Sequence, residues 1–319
     1  MSEVRQRWRI VFARGEEARY LSHLDAVTQW ERALRRGGVP LAMTEGFTPR
    51  PRIVFGAPLP LGMMAEHELA DLFLAERLTA TEFRRRVAVG TPPGYRVLQA
   101  HDTWTGAPAL APQLAAADYR LLLLGAEDPA LSAAAAWLMA ADRLPRERRR
   151  ESKAIAYDLR PLLIELRTST SPAPSSGSST EPVAALWMRL RHSQEEGSGR
   201  PDEVVAAIAE RLGMATPPRV EAVASGPAST RRHGKGGPAD AETLTGTSEA
   251  ASGEDRRRVI NDGAIDGGSV APDADTQAVE RRTLEVLSAV RERMWLAEEL
   301  EFRIQGSSGG EMPQPDRDV

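Results

Sequence analysis

The chain has no cysteine. It can therefore form no disulfide, ligate no iron–sulfur cluster through thiolates and use no cysteine nucleophile. Lysine is almost missing too: Lys153 and Lys235 stand beside 39 arginines, a bias expected of a GC-rich genome rather than a mark of RNA binding. Long apolar runs are lacking, since none approaches the roughly 18 residues a membrane span requires. The N-terminal MSEVRQRWRIVF has no apolar core of a signal peptide. No membrane association and a cytoplasmic location are expected. The five histidines, His23, His67, His101, His192 and His233, show no zinc-ligand spacing. The group Glu66, His67, Glu68 and Asp71 lacks a second histidine. Neither a metal nor a cofactor is expected.

What is present is ordinary for a globular protein: 319 residues, 41% hydrophobic and 27% charged, enough for two domains. The net charge of −4 argues against a protein that coats nucleic acid. It hides an asymmetry, because residues 1–60 carry ten Arg against six Asp and Glu.

The densest local signals lie between Tyr20 and Gly62. Ser22 is placed as a helix N-cap, with Asp25 three residues on. Leu24, Val27, Trp30, Ala33 and Leu34 recur at helical spacing, and Gly37 and Gly38 end the segment. The loop 44–52 follows, stiffened by Gly46, Pro49 and Pro51 and carrying Phe47, Arg50 and Arg52. Free N–H groups at a helix start beside guanidiniums suit phosphate or carboxylate. Ser22, His23, Asp25, Arg50 and Arg52 are thus candidate ligand contacts, and Arg35, Arg36 and Phe47 extend them towards RNA phosphates and bases. The same residues also read without a ligand, as a cap, a surface histidine, a solvated loop and cations on the helix C-terminus. His23 is a weak catalytic candidate, because no carboxylate partner is evident.

The pattern along the chain reads as α+β. Residues 7–14 alternate as a strand, 22–38 form a helix, strands follow near 40–43, 52–57 and 69–74, a helix spans 79–89, and a strand covers 95–99. That order suggests a ferredoxin-like half over 1–104, and a linker over 105–116 leads to a second half over 117–224. In the second half we expect strands at 119–124, 160–167, 185–192 and 219–223 and helices at 129–144 and 201–212. Lys153, the one lysine before the tail, and Asp158 and Arg160, which also read as an ion pair at a strand start, are further candidate ligand contacts. Residues 225–275 are poor in large apolar side chains and are expected to be a disordered linker. Over 276–305, Leu284, Leu287, Val290, Met294 and Ala297 mark an amphipathic helix, and 306–319 form a disordered tail.

The motifs YLSHLD at 20–25, ERALRRGGVPLAMTEGF at 31–47, PRPRIVFGAPLPLG at 49–62, DLRP at 158–161 and GSGRPDEVV at 197–205 resemble the radical SAM-linked family, also called DUF2344. The likeness covers residues of about 5–225. Members of that family are encoded beside, or fused to, a radical SAM protein with a cobalamin-binding domain, near genes for ribonuclease G and ribosomal proteins. The resemblance implies an accessory subunit that binds or presents a substrate to a radical SAM partner in RNA or ribosome-related modification. It carries over no catalytic residue. Where the family often has GFNPHP, this chain has Gly46-Phe47-Thr48-Pro49-Arg50-Pro51; Arg50 cannot lose its proton as a histidine can, yet it can still bind an anion. The alternatives are an RNA-binding or RNA-processing protein of the endoribonuclease type, by fold analogy, and a carrier of small anions.

Overall fold

The computed structural model describes residues 3–150, 153–170, 183–193, 197–215 and 283–306. Strand β1 (Gln6–Arg14) alternates as its sequence does: Trp8, Ile10, Phe12 and Arg14 point to one face, Arg7 and Arg9 to the other. Helix α1 (His23–Arg36) starts at the Ser22 cap and buries Ala26, Trp30, Ala33 and Leu34 on the first of these faces. Strands β2 (Ile53–Phe55) and β3 (Met64–Leu74) follow, then α2 (Ala80–Val89), capped by Thr79, and β4 (Tyr95–Thr103). The helices and this sheet face share an aromatic core. Trp8 stacks on Phe83 at 4.2 Å, and Phe12 lies between Trp30, Phe55 and Tyr95. Fully burying a side chain such as Leu34 contributes about 1.5–3 kcal/mol.

The second part also combines strands and helices. Helix α3 (Leu110–Gln113) is a single turn and leads into β5 (Leu114–Leu124), so the expected linker over 105–116 already contains ordered elements. Helix α4 (Asp128–Ala140) comes next, then a hairpin of β6 (Pro145–Arg150) and β7 (Lys153–Asp158) that forms its own two-stranded sheet. Strands β8 (Leu163–Thr170), β9 (Val183–Ser193) and β10 (Gly197–Ser198) precede α5 (Pro201–Leu212), which ends at Gly213 with a φ of 67°. Leu121 and Leu123 of β5, Leu186, Met188 and Leu190 of β9, Leu131 and Leu138 of α4 and Val204 and Ile208 of α5 share one apolar core.

The last elements correct the sequence reading. The stretch expected to be one helix over 276–305 is strand β11 (Glu285–Leu296) followed by helix α6 (Ala297–Gly306). Strand β11 pairs along β5 and touches β3 through two residue pairs, Val290 with Met64 and Arg291 with Ala65. One nine-stranded sheet therefore runs β10-β9-β5-β11-β3-β1-β4, with β2 on β3 and β8 on β9. The described residues belong to one compact unit made of Met1–Ser225 and Arg281–Val319. Over 40–43 there is no strand, only bridges of Leu41 to Leu74 and Met43 to Pro51. The closing strand expected at 219–223, the linker over 225–275 and the tail after 306 lie outside the described residues. The architecture is α+β with a mostly sheet core.

Candidate anion site at the start of helix α1

The start of α1 is built locally. The Ser22 hydroxyl accepts a hydrogen bond from the Asp25 backbone N–H at 3.2 Å and donates to the Asp25 carboxylate at 2.7 Å, so Asp25 is occupied in the cap. His23, the first helical residue, turns towards the sheet and meets the Phe55 ring edge-on at 5.9 Å. A half-open cavity of about 30 Å3, room for about two waters, is lined there by Phe12, Arg14, His23, Trp30, Glu68 and Tyr95 among others.

The cavity's charge comes from the last inward position of β1. Arg14 is 4% exposed. Its Nε donates to the Ala18 carbonyl at 2.7 Å and its Nη2 to the Leu21 carbonyl at 2.6 Å, which fixes the guanidinium. Burial pushes its pKa down, while Tyr95 and Glu68 pull it back up. Glu68 is not free to neutralise it. Its carboxylate accepts a bidentate pair from Arg291, through Nε at 2.6 Å and through Nη2. Arg291 also donates to the Ala57 and Pro58 carbonyls and to Tyr119. Burial opposes the Arg291 charge, but Glu68 and Tyr119 outweigh burial and hold its pKa above the usual value.

Two polar groups in this wall have no hydrogen-bond partner among the described residues: the Trp30 Nε1, in a side chain 1% exposed, and the Tyr95 hydroxyl. A buried unpaired donor costs about 1–3 kcal/mol. Burial raises the Tyr95 pKa, with Arg14 opposing, so the phenol is protonated at neutral pH. His23 has its pKa lowered, first by burial and then by Arg14 and Arg291, so its imidazole is neutral at pH 7. The cavity is thus lined by the Arg14 cation, a neutral imidazole, the Glu68 carboxylate already paired with Arg291, and two residues with unspent donors, an arrangement that can take up an anion.

Of the candidate residues read from the sequence, the structure brings only His23 to this cavity; Ser22 and Asp25 are engaged with each other in the helix cap. Arg35 and Arg36 are exposed at the far end of α1, about 20 Å away at 1.5 Å per residue. Phe47 projects fully into solvent. Arg50 is exposed, and its backbone closes a loop on Thr44. Arg52 lies over the Phe73 ring at 4.1 Å. Phe73 alternates with the core residues Leu72 and Leu74, so the sheet separates Arg52 from His23. Asp158 clasps a turn by accepting the backbone N–H groups of Leu144 and Arg160, which lowers its pKa. Its tie to Arg160 is therefore through the backbone, not the expected side-chain ion pair, and the Arg160 guanidinium donates to the Leu163 carbonyl. Lys153 is exposed on β7. Glu66 bonds Arg120, His67 meets the Glu292 carbonyl, and Asp71 holds Arg7 and Arg9. Among the described residues no three His, Asp or Glu side chains are grouped to hold a metal.

Sequence reasoning missed Arg14, Tyr95 and Glu68. Arg14 had a usable signal: it continues the parity of Trp8, Ile10 and Phe12, a charge at an inward strand position. Glu68 carries the same signal on β3, two residues before Ala70 and four before Leu72.

The motif-bearing region that builds this cavity also decides the comparison. A family described as an uncharacterized protein conserved in bacteria (DUF2344) matches residues 7–201. The chain belongs to the DUF2344 family. Within the DUF2344 region lie Arg14, His23, Trp30, Glu68 and Tyr95, whereas Arg291 and β11 lie beyond it. No curated protein matches the chain. A crystal structure of an unknown protein from Galdieria sulphuraria is 14% identical, covers 65% of this chain and 94% of that one, and superposes with a TM-score of 0.21. A score that low carries no argument here. No helix among the described residues is long and apolar enough to cross a membrane.

Proposed function

We propose that this DUF2344 protein is a non-catalytic accessory subunit that binds an anionic, phosphate-bearing group in the α1 cavity and presents it to a radical SAM enzyme, in RNA or ribosome-related modification. The observation that carries the binding part is the pair of unspent donors, Trp30 Nε1 and the Tyr95 hydroxyl, in a wall that already holds the fixed Arg14 cation. The partnership rests on the resemblance of the motifs at 20–62, 158–161 and 197–205. A supporting reading of the fold is that each half is ferredoxin-like, with strand orders β4-β1-β3-β2 and β11-β5-β9-β8. Anaerobic affinity capture of the tagged chain from its native cells tests the partnership. Near-equal recovery of a cysteine-rich radical SAM protein supports it, and recovery of RNA or ribosomal proteins alone defeats it.

One observation favours a second reading, an RNA-processing enzyme: a neutral imidazole beside a cationic cavity can act as a base. Cleavage of RNA by the purified chain that disappears in His23→Ala would establish that reading. Absence of cleavage in the wild type removes it.

A further inference from the structure

The β6–β7 hairpin has an unusual composition for a two-stranded ribbon. Its first strand is Pro-Arg-Glu-Arg-Arg-Arg, and the second opens on Lys153. Over the two strands five cations stand against Glu147 and Asp158, and the backbone turn at Leu144 and Arg160 already occupies Asp158. The register pairs Arg146 with Tyr157, Arg148 with Ile155 and Arg150 with Lys153. Directly opposed residues share a face, so Glu147, the other acid within the two strands, falls on the opposite face with Ala156. The Arg148 guanidinium lies over the Tyr157 ring at 5.8 Å, and Ile155 is 37% exposed beside it.

The cations differ in how they are held. Arg146 is tied to Glu210 of α5, which anchors the ribbon to the body. Arg148 and Lys153 have no carboxylate partner among the described residues. This separates the ribbon from the other arginine-rich face, that of β5, β9 and β11, where part of the charge is buried. There Asp118 holds Arg189, Glu292 holds Arg120 and Glu165 holds Arg167, so a polyanion would have to break existing pairs.

We propose that the β6–β7 ribbon is a nucleic-acid contact that grips a phosphodiester backbone through Arg148 and Lys153 near its exposed tip. Arg148 and Lys153 are diagonal neighbours across the ribbon, about 7–8 Å apart, a step comparable to that of an extended phosphodiester chain. Guanidinium forks match phosphate oxygens, and an ammonium adds a second point charge. A two-stranded ribbon is also narrow enough to enter a nucleic-acid groove. The inference rests on the proposed function only in the choice of RNA as first probe.

The test is fluorescence anisotropy of the full chain with a labelled single-stranded RNA of about 16 nucleotides, a DNA of the same sequence and an RNA duplex, over a range of salt. The expected result is salt-dependent binding that weakens at least tenfold in Arg148→Ser/Lys153→Ser. The slope of log K against log salt should fall by about 1.4, at about 0.7 per lost phosphate contact. Arg148→Lys should keep the slope. Comparison of the three probes tells which nucleic acid is preferred. Both mutated cations are outside the core, and the circular dichroism spectrum of each variant checks the fold. Unchanged affinity in the double variant overturns the proposal. So does binding to vesicles of anionic lipid that RNA cannot compete away. Phosphate binding at the α1 cavity is read separately, so failure at either site is distinguishable from failure at the other.

Discussion

Replacing Glu68 by Gln should be among the most damaging conservative changes in this protein. The Arg291 side chain is 2% exposed, its Nε and Nη2 both donate to Glu68, and it comes from β11, which touches β3 through only two residue pairs. Removing one partner of a buried pair leaves an uncompensated charge and costs about 3–5 kcal/mol. At about 2–4 °C per kcal/mol for a body of this size, the melting temperature should fall by about 6–20 °C. The carbonyls of Ala57 and Pro58 still receive Arg291, which places the loss towards the lower end. Replacing both residues together, as Glu68→Met/Arg291→Met, removes the stranded charge and should cost less than the sum of the two single changes. Urea and thermal unfolding followed by far-ultraviolet circular dichroism at pH 7 compare the wild type with Glu68→Gln, Glu68→Met, Arg291→Met and the double variant. A single-variant cost below about 1 kcal/mol, or strict additivity in the double variant, would refute the claim that this pair ties β11 to β3.

Two further outcomes follow from the same geometry. His23 and His192 both have folded-state pKa values lowered from 6.5, first by burial and then by neighbouring cations. In the window from 6.5 down to those folded values the unfolded chain binds more protons, so their contribution is intact above pH 6.5 and is lost as pH falls through the window. Urea titrations at several pH values should show that slope, and His23→Gln/His192→Gln should flatten it; an unchanged slope contradicts the burial argument. The C-terminal ends of α1 and α2 meet glycine to glycine: a Cβ on Gly37 would lie 2.5 Å from the Arg86 carbonyl and 2.8 Å from the Gly90 Cα. Gly37→Ala should therefore destabilise by about 1–3 kcal/mol, despite a φ of −69° that alanine tolerates. Equal stability by chemical denaturation would show that the helices part at no cost.

Helices α1 and α5 were legible because each carries its own punctuation: the Ser22 cap and Gly37 for one, Pro201, two first-turn acids and Gly213 for the other. Strand β11 was not. Its pairing with β5 shifts register between Val286 and Ser288, between Arg291 and Arg293 and between Trp295 and Leu296. Each irregularity interrupts the period of two, and the apolar spacing left behind resembles a helical stripe. The β6–β7 hairpin escaped notice because a ribbon exposed on its surface needs no apolar alternation, and its charge run reads as a loop. Arg50 and Arg52 drew attention by sequence proximity to His23, but only the alternation of β2 and β3 reveals that the sheet lies between Arg52 and the cavity. What built the cavity was instead long-range: Arg14, Glu68 and Tyr95 come from three strands, and a fourth, β11, supplies Arg291 to hold Glu68.

The most direct test of the anion cavity is a nuclear magnetic resonance titration of the full chain with inorganic phosphate and then a nucleoside monophosphate, watching the Trp30 indole N–H and the His23 ring. Binding in the cavity predicts saturable shifts at both reporters, with the indole proton moving as its unspent donor gains an acceptor. Unmoved Trp30 and His23 signals, with shifts confined to the loop around Arg50 and Arg52, would contradict the account.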